Sequence, residues 1–435
     1  MWLFNSVLYQ IYPIGFCGAP AENDGTTVNR IKKVVEWIPH LEKLGGDAVL
    51  FNPLMQSDSH GYDTRDFFTA DCRLGTNDDV AAACLALKNA GFKILFDGVF
   101  NHVGRGFWAF QDVLKNRRES AYKDWFFIDF NSNNRYNDGL SYSDWEGCAE
   151  LVKLNLGNPD VKKHIFDAIR FWADTFGIDG LRLDVSYSLD RDFLRSLHDF
   201  CAQLRPDFPL IGEMLHGDYN QLVNNEMLHS GTNYECYKGL YSSFNCANLY
   251  EISYSLNRQF GSQQWCVYTG KHLMSFVDNH DVARIASILE NKAHLPLVYG
   301  LLFGMPGVPC IYYGSEWGAE GEKKAGDREL RPCFENPVEN SLTAFIEKLI
   351  SVRKQSAALC LGGYKNIVEN NRNLTFERTA ENERVLVCVN LDENPATVYN
   401  GAFSGNAFDL LTGEEAAMDG KLELPGYSVK YLRLQ

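Results

Sequence analysis

Gly180-Leu181-Arg182-Leu183-Asp184 is an apolar run that carries one cation and ends on a carboxylate. Three more segments have the same ending: Ile94-Leu95-Phe96-Asp97, Pro209-Leu210-Ile211-Gly212-Glu213 and Met274-Ser275-Phe276-Val277-Asp278-Asn279-His280-Asp281. A short apolar run closed by an acid predicts a buried parallel strand that delivers a polar group at its C-terminal end. In a (β/α)8 barrel such ends converge on one face, where the chemistry is done. The predicted fold is therefore α/β, a (β/α)8 TIM barrel. Acids from several strands, with histidines and an arginine beside them, suit acid–base and nucleophilic work on a neutral polar substrate.

Outward from these runs, strand-like and helix-like segments alternate in the rhythm of βαβ units. Strands are predicted over 7–12, 47–54 and 93–100, with helices over 28–44 and 78–90 between them. The rhythm breaks at 101–158, an Asn- and aromatic-rich stretch too long for a bare connection and read as an inserted subdomain. Pro159 then suits the first turn of a helix over 159–176. Strands over 178–184 and 209–213, a sixth around 232–237, and strands over 271–278 and 308–313 complete the count, with a closing helix over 341–354. Beyond Leu361, short alternating runs such as Arg384-Val385-Leu386-Val387-Cys388-Val389 predict a C-terminal antiparallel β-sandwich domain. The expected division is a barrel over 1–102 and 159–358, subdomain B over 103–158 and the β-domain over 359–435.

A hydrophobic content of 45% in 435 residues supports a large core. The net charge of −15, with no basic block, argues against nucleic acid or an anionic membrane surface as partner. Twelve cysteines without a C-x-x-C pair read as reduced, mostly buried thiols. Residues 1–16 lack Lys and Arg and include Gln10 and Pro13, which makes a poor secretion signal, and no uncharged apolar run reaches membrane-spanning length. The expected location is cytoplasmic and the expected state a monomer or weak homo-oligomer.

Arg182 and Asp184, two apart on a strand, point to the same side. A guanidinium beside a carboxylate keeps it ionised, as a nucleophile requires, although a structural ion pair at a barrel rim would look the same. Glu213 is approached by apolar residues with no cation near in sequence, so burial should raise its pKa and leave it a proton to give; taken alone it could equally be a capped loop acid. One charged and one protonated carboxylate is the arrangement for glycoside hydrolysis with retention.

These segments, in this order, resemble the signature regions of the α-amylase family, glycoside hydrolase family 13. The matching stretches are Asp97-Gly98-Val99-Phe100-Asn101-His102, Gly180 to Asp184, Glu213, and Phe276 to Asp281. Val7-Leu8-Tyr9-Gln10-Ile11-Tyr12-Pro13, His60-Gly61-Tyr62-Asp63-Thr64 and Gly307 to Glu316 resemble its first, second and eighth strand regions, so the likeness runs along nearly the whole chain. The resemblance implies Asp184 as nucleophile, Glu213 as acid and base, and Asp281 as the group that binds the 2- and 3-hydroxyls of the sugar and helps distort it. It further implies that Arg182 positions Asp184, that His102 and His280 bond the same sugar, that Tyr62 stacks under it, and that Asp97 supports Arg182. The implied substrate is an α-glucan oligosaccharide.

Phe107 to Asn116, Tyr122 to Phe126 and Val152-Lys153-Leu154-Asn155 are similar to the inserted subdomain of the neopullulanase, cyclomaltodextrinase and maltogenic amylase group. Asp327 and Arg331 match a pair that binds the second sugar there, with Arg328 in place of a proline. The chain departs from that group in starting its first strand at Val7, without the N-terminal β-domain, and in carrying Leu215 where a tryptophan is frequent. Val185-Ser186-Tyr187-Ser188 likewise lacks the Lys-His pair of many endo-acting amylases. No cofactor is expected. Calcium is the one metal the resemblance raises, with Asn101, Asp129, Asp138 and Asp144 as its oxygen donors, and the expectation is that activity does not depend on it. The same scaffold carries glucanotransferases, sucrose-type transglycosylases and non-catalytic barrel ectodomains; the last lose the acids retained here.

Overall fold

The computed structural model describes residues 1–324 and 326–435. Eight parallel strands form the barrel: β1 (Leu8–Ile11), β2 (Ala48–Phe51), β3 (Lys93–Gly98), β4 (Gly180–Leu183), β5 (Leu210–Gly212), β6 (Ser230–Gly231), β7 (Met274–Ser275) and β8 (Val308–Tyr312). They pair in the order β6-β5-β4-β3-β2-β1-β8-β7, and a parallel bridge between Thr232 and Met274 joins the two ends. The period of two along each strand explains their composition. Leu8, Leu50, Leu95, Ile211 and Cys310 fill the barrel interior, which Leu3 of the N-terminal turn joins. Tyr9, Val49, Ile94, Phe96 and Leu181 face the surrounding helices.

Several helices match their sequence signals. Thr76 caps the helix Asn77–Asn89 through a reciprocal bond with Asp79, Asn158 caps Pro159–Thr175, and Asp190 caps Arg191–Leu204. The predicted first helix is instead two, Lys32–Glu36 and Ile38–Leu44, broken at Trp37 where Pro39 withholds a backbone donor. The sixth strand also differs. The sequence reading places it around 232–237. The strand itself is Ser230–Gly231, and Tyr234–Asn245 is a helix whose first turn is capped by the Asn233 side chain on the Cys236 N–H. The seventh strand shrinks to two residues for a related reason: beyond Ser275 the backbone leaves the sheet to present Asp278 to Asp281.

Between β3 and β4 the inserted segment builds a small antiparallel sheet from His102–Gly104, Asp144–Trp145 and Cys148–Lys153, with helix Trp108–Asn116 beside it. After the helix Ser341–Lys354 come β9 (Gly363–Glu369), β10 (Asn373–Ala380), β11 (Glu383–Asn390), β12 (Ala396–Asp409), β13 (Glu415–Leu424) and β14 (Ser428–Leu434). They form one antiparallel sheet ordered β9-β10-β11-β14-β12-β13. Val385, Val387 and Tyr431 pack toward the barrel core, while Leu386, Cys388, Phe403 and Leu432 close a second core around which the sheet curls. All twelve cysteines are unpaired thiols and seven are buried. No helix among the described residues is long and apolar enough to cross a membrane.

Candidate active site

The C-terminal ends of the strands open into a cleft of about 1390 Å³. Asp97 is level with Arg182 across the β3–β4 pair, and Arg182 with Ile211 across β4–β5. This register gathers the polar groups at one height. Arg182 is buried and donates at 2.8 and 2.9 Å to the two oxygens of Asp97, at 2.9 Å to Asp184 Oδ1, and pairs at 2.9 Å with Glu213 Oε1. The other Glu213 oxygen accepts the Val185 N–H at 2.8 Å.

That N–H is aimed by a costly backbone. Val185 has φ 48° and ψ 40°, a left-handed conformation that a β-branched residue rarely adopts and that costs about 1–3 kcal/mol. Ser186 Oγ also donates to the Glu213 carbonyl at 2.6 Å, tying the loop after Asp184 to the loop after β5.

The sequence suggests an isolated Glu213 and an Asp184 kept ionised by Arg182. The fold raises Glu213 by burial as expected but gives it the same cation as Asp184, and it departs from the expectation for Asp184, because one guanidinium serves three buried acids. Burial, then the charge of Glu213, push the Asp184 carboxyl well above the usual carboxylate range against the pull of Arg182. Burial raises Glu213 as well, again opposed by Arg182. The two titrate as a pair that holds a proton more firmly than a free carboxyl does. A carboxyl whose folded pKa lies above its unfolded value disfavours folding once ionised. That penalty exists above the folded pKa and disappears as pH falls through it toward the unfolded value. Asp184→Asn should therefore raise Tm at neutral pH by about 1–3 °C, with the gain vanishing in mild acid, as calorimetry across pH can show.

Asp281 behaves in the opposite way. Burial alone would raise its pKa, but His280 Nε2 and Arg331, each 2.9 Å away, hold it well below the usual range. His280 is fixed by Gln10 at 3.0 Å and stacks between Tyr12 and Tyr62. The Tyr62 hydroxyl donates to Asp97 at 3.0 Å and lies against His280 Nε2. His102 is buried and depressed to about 3, first by desolvation and then by His60, so it is neutral; its Nε2 has no protein partner and its ring lines the cleft. Asp327 pairs with Arg331 at 2.9 Å and with Lys323 at 3.0 Å, while Arg331 also donates to the His280 carbonyl and covers the Tyr12 ring. Gly15 is required here, because a Cβ on it would lie 2.1 Å from the Arg331 carbonyl oxygen.

The structure thus brings Asp184, Glu213, Asp281, Tyr62, His102, Arg182, His280, Asp327 and Arg331 to one cleft. Two positioning residues escape the sequence reading. Asn52 bonds both Tyr62 and Asp97, and Gln10 bonds Asn52 and His280. Asn52 could have been found, since it follows the apolar run Ala48–Phe51 as the acids follow theirs. Asp278 ends such a run yet stays out of the cleft, accepting from Ser315 and the Ile285 N–H.

Three of the four oxygen donors named for calcium are engaged separately. Asp138 pairs with Arg105, Asp129 accepts from Asn131 N and Asp144 from Gly147 N, while Asn101 Oδ1 is buried without a partner. No cluster of three or more His, Cys, Asp or Glu suited to a metal occurs among the described residues.

Buried acids around one arginine, at the open end of a (β/α)8 barrel and facing a polar cleft, have the make-up of an acid–base active site. Comparison with known proteins makes the class specific. The alpha-amylase catalytic-domain profile matches residues 10–341, and the chain belongs to the α-amylase family of glycoside hydrolases. A cyclomaltodextrinase from a Bacillus species is 31% identical over 93% of this chain and 76% of its own length. Neopullulanase 2 of Thermoactinomyces vulgaris is also 31% identical, over 97% of this chain and 76% of its own. A solved cyclomaltodextrinase superposes with a TM-score of 0.87 at 28% identity, covering 100% of this chain and 78% of that one.

Proposed function

We propose that the chain is a retaining α-glucan hydrolase that cleaves α-1,4, and more slowly α-1,6, glucosidic bonds of maltooligosaccharides or maltodextrins. The observation that carries this reading is the single guanidinium of Arg182, which holds Asp184 and Glu213 at 2.9 Å each. Two carboxyls sharing one guanidinium sit close together, which favours a retaining pair, spaced about 5–5.5 Å, over an inverting pair with room for a water between its acids. The names of the relatives, a cyclomaltodextrinase and a neopullulanase, support the substrate class.

Asp184 attacks the anomeric carbon as the bond to the leaving oxygen breaks, and Glu213 gives that oxygen its proton. Glu213 then takes a proton from water, whose oxygen attacks the same carbon and expels Asp184. Arg182 holds Asp184 in line, and Asp97, Asn52 and Tyr62 hold Arg182 or its neighbours. Asp281, kept ionised by His280 and Arg331, accepts the hydroxyls of the sugar being cleaved, and His102 Nε2 is free to bond the same sugar. Tyr62 supplies the ring face.

Asp327 and Arg331 extend this wall to the next sugar. Asp327→Ala should raise KM for maltotriose about tenfold while lowering kcat much less, because it removes a charged hydrogen bond to a sugar remote from the reacting bond. We further propose that the reaction needs no calcium. EDTA should leave Tm and activity unchanged, and a fall of several degrees reversed by Ca²⁺ contradicts this. The unpaired thiols are consistent with a reducing, cytoplasmic setting.

Chromatography of products from maltotriose, maltoheptaose, pullulan, a cyclodextrin and sucrose tests the substrate reading. Efficient cleavage of short α-1,4 chains with slow action on pullulan is expected. Turnover of sucrose with maltotriose ignored would instead assign a sucrose-type transglycosylase.

A further inference from the structure

Trp145 and Cys148 pair across a two-residue hairpin loop at the tip of the inserted subdomain, and Glu146 and Gly147 make its turn. Both turn residues have positive φ, 50° and 88°. Such a turn favours Asn-Gly or Gly-Gly, and a Glu at its first position bears backbone strain. Its side chain is engaged elsewhere. Glu146 Oε1 accepts the Tyr187 hydroxyl at 3.2 Å, across from the inserted hairpin to the loop that follows Asp184. Trp145 and Tyr187 both line the cleft, so this contact ties the inserted hairpin to the barrel loop at its edge.

The bridge lies on the leaving-group side. Asp281, Arg331 and Asp327 run away from Asp184 on the side assigned to the sugar that is retained. Tyr187 instead sits within the electrostatic reach of Glu213, the proposed proton donor to the leaving oxygen. The Trp145 indole lines the cleft within reach of the Tyr187 hydroxyl, and its aromatic face suits a sugar ring.

We propose that Tyr187 and Trp145 bind the leaving-group sugar, and that the Tyr187–Glu146 bridge sets substrate length by closing that side of the cleft against long glucan chains. This rests on the α-glucan hydrolase reading and adds a specificity device to it. The bridge admits a short leaving group beneath it and obstructs the continuing chain of a longer one. Removing it extends the cleft without touching the acids.

The test is the ratio of kcat/KM for maltoheptaose to that for maltotriose, with both substrates in competition in one tube. Tyr187→Phe keeps the ring and loses the hydroxyl, whereas Glu146→Gly loses the acceptor and relaxes the turn. Each should raise the ratio about fivefold or more and shift the first products of maltoheptaose from glucose and maltose to longer fragments. Glu146→Gln retains an acceptor oxygen and should stay within about twofold of the parent. Calorimetry confirms that all three fold. A ratio unchanged within twofold in both Tyr187→Phe and Glu146→Gly overturns the inference. An unmodified enzyme that cleaves neither maltooligosaccharide overturns the underlying functional reading instead.

Discussion

Asp184→Asn should lower kcat on maltotriose by roughly 10⁴-fold or more, the scale on which loss of a covalent nucleophile acts. Glu213→Gln should cost about 10²–10⁴-fold on the same substrate. The two variants part on an α-glucosyl fluoride, whose leaving group needs no proton. Glu213→Gln should recover most of its loss in forming the glycosyl-enzyme, while Asp184→Asn should recover none. The distinction matters because Arg182 touches both acids, so position alone does not divide their roles. Activity within tenfold of the parent in both variants would remove the assignment altogether.

Arg182→Leu should destabilise the fold by about 3–5 kcal/mol, because it strands three buried carboxyls around a missing cation. Part of that cost is relieved in acid, as the stranded carboxyls take up protons, so the deficit measured by denaturant unfolding should shrink from pH 7 toward pH 5. Arg182→Lys retains the charge but not the fork that reaches Asp97, Asp184 and Glu213 together, and should recover stability more than activity. A loss below 1 kcal/mol for Arg182→Leu would mean that the three acids are not held as charged partners of one guanidinium.

The barrel was legible because four of its strands advertise themselves: buried on both faces, they are apolar runs whose last residue is polar. β6 was hidden because it contributes only two residues, and β7, legible from its acid-ended run, is shorter than that run because the chain leaves the sheet after Ser275. The N-cap Asn233 is the sequence signal that 234–245 is helical, set against the β preference of Thr232, Tyr234 and Tyr237. In the site, the named acids and histidines were readable through their motifs. The contact between Arg182 and Glu213 was not, because it depends on the register of β4 against β5 rather than on separation along the chain. The same holds for Asn52 and Gln10, neutral residues that only the closure of β1 and β2 places beside His280 and Asp97. The Glu146–Tyr187 contact joins residues 41 apart through a hairpin turn whose conformation the sequence Glu-Gly does not announce.

A double displacement through Asp184 retains the anomeric configuration, so the stereochemistry of the first product separates it from direct attack by water. Proton NMR of maltotriose hydrolysis, recorded before mutarotation proceeds, should show the α-anomer of the newly formed reducing end appearing first. A β-anomer appearing first would mean that water attacks the sugar directly and that Asp184 never forms a bond to it.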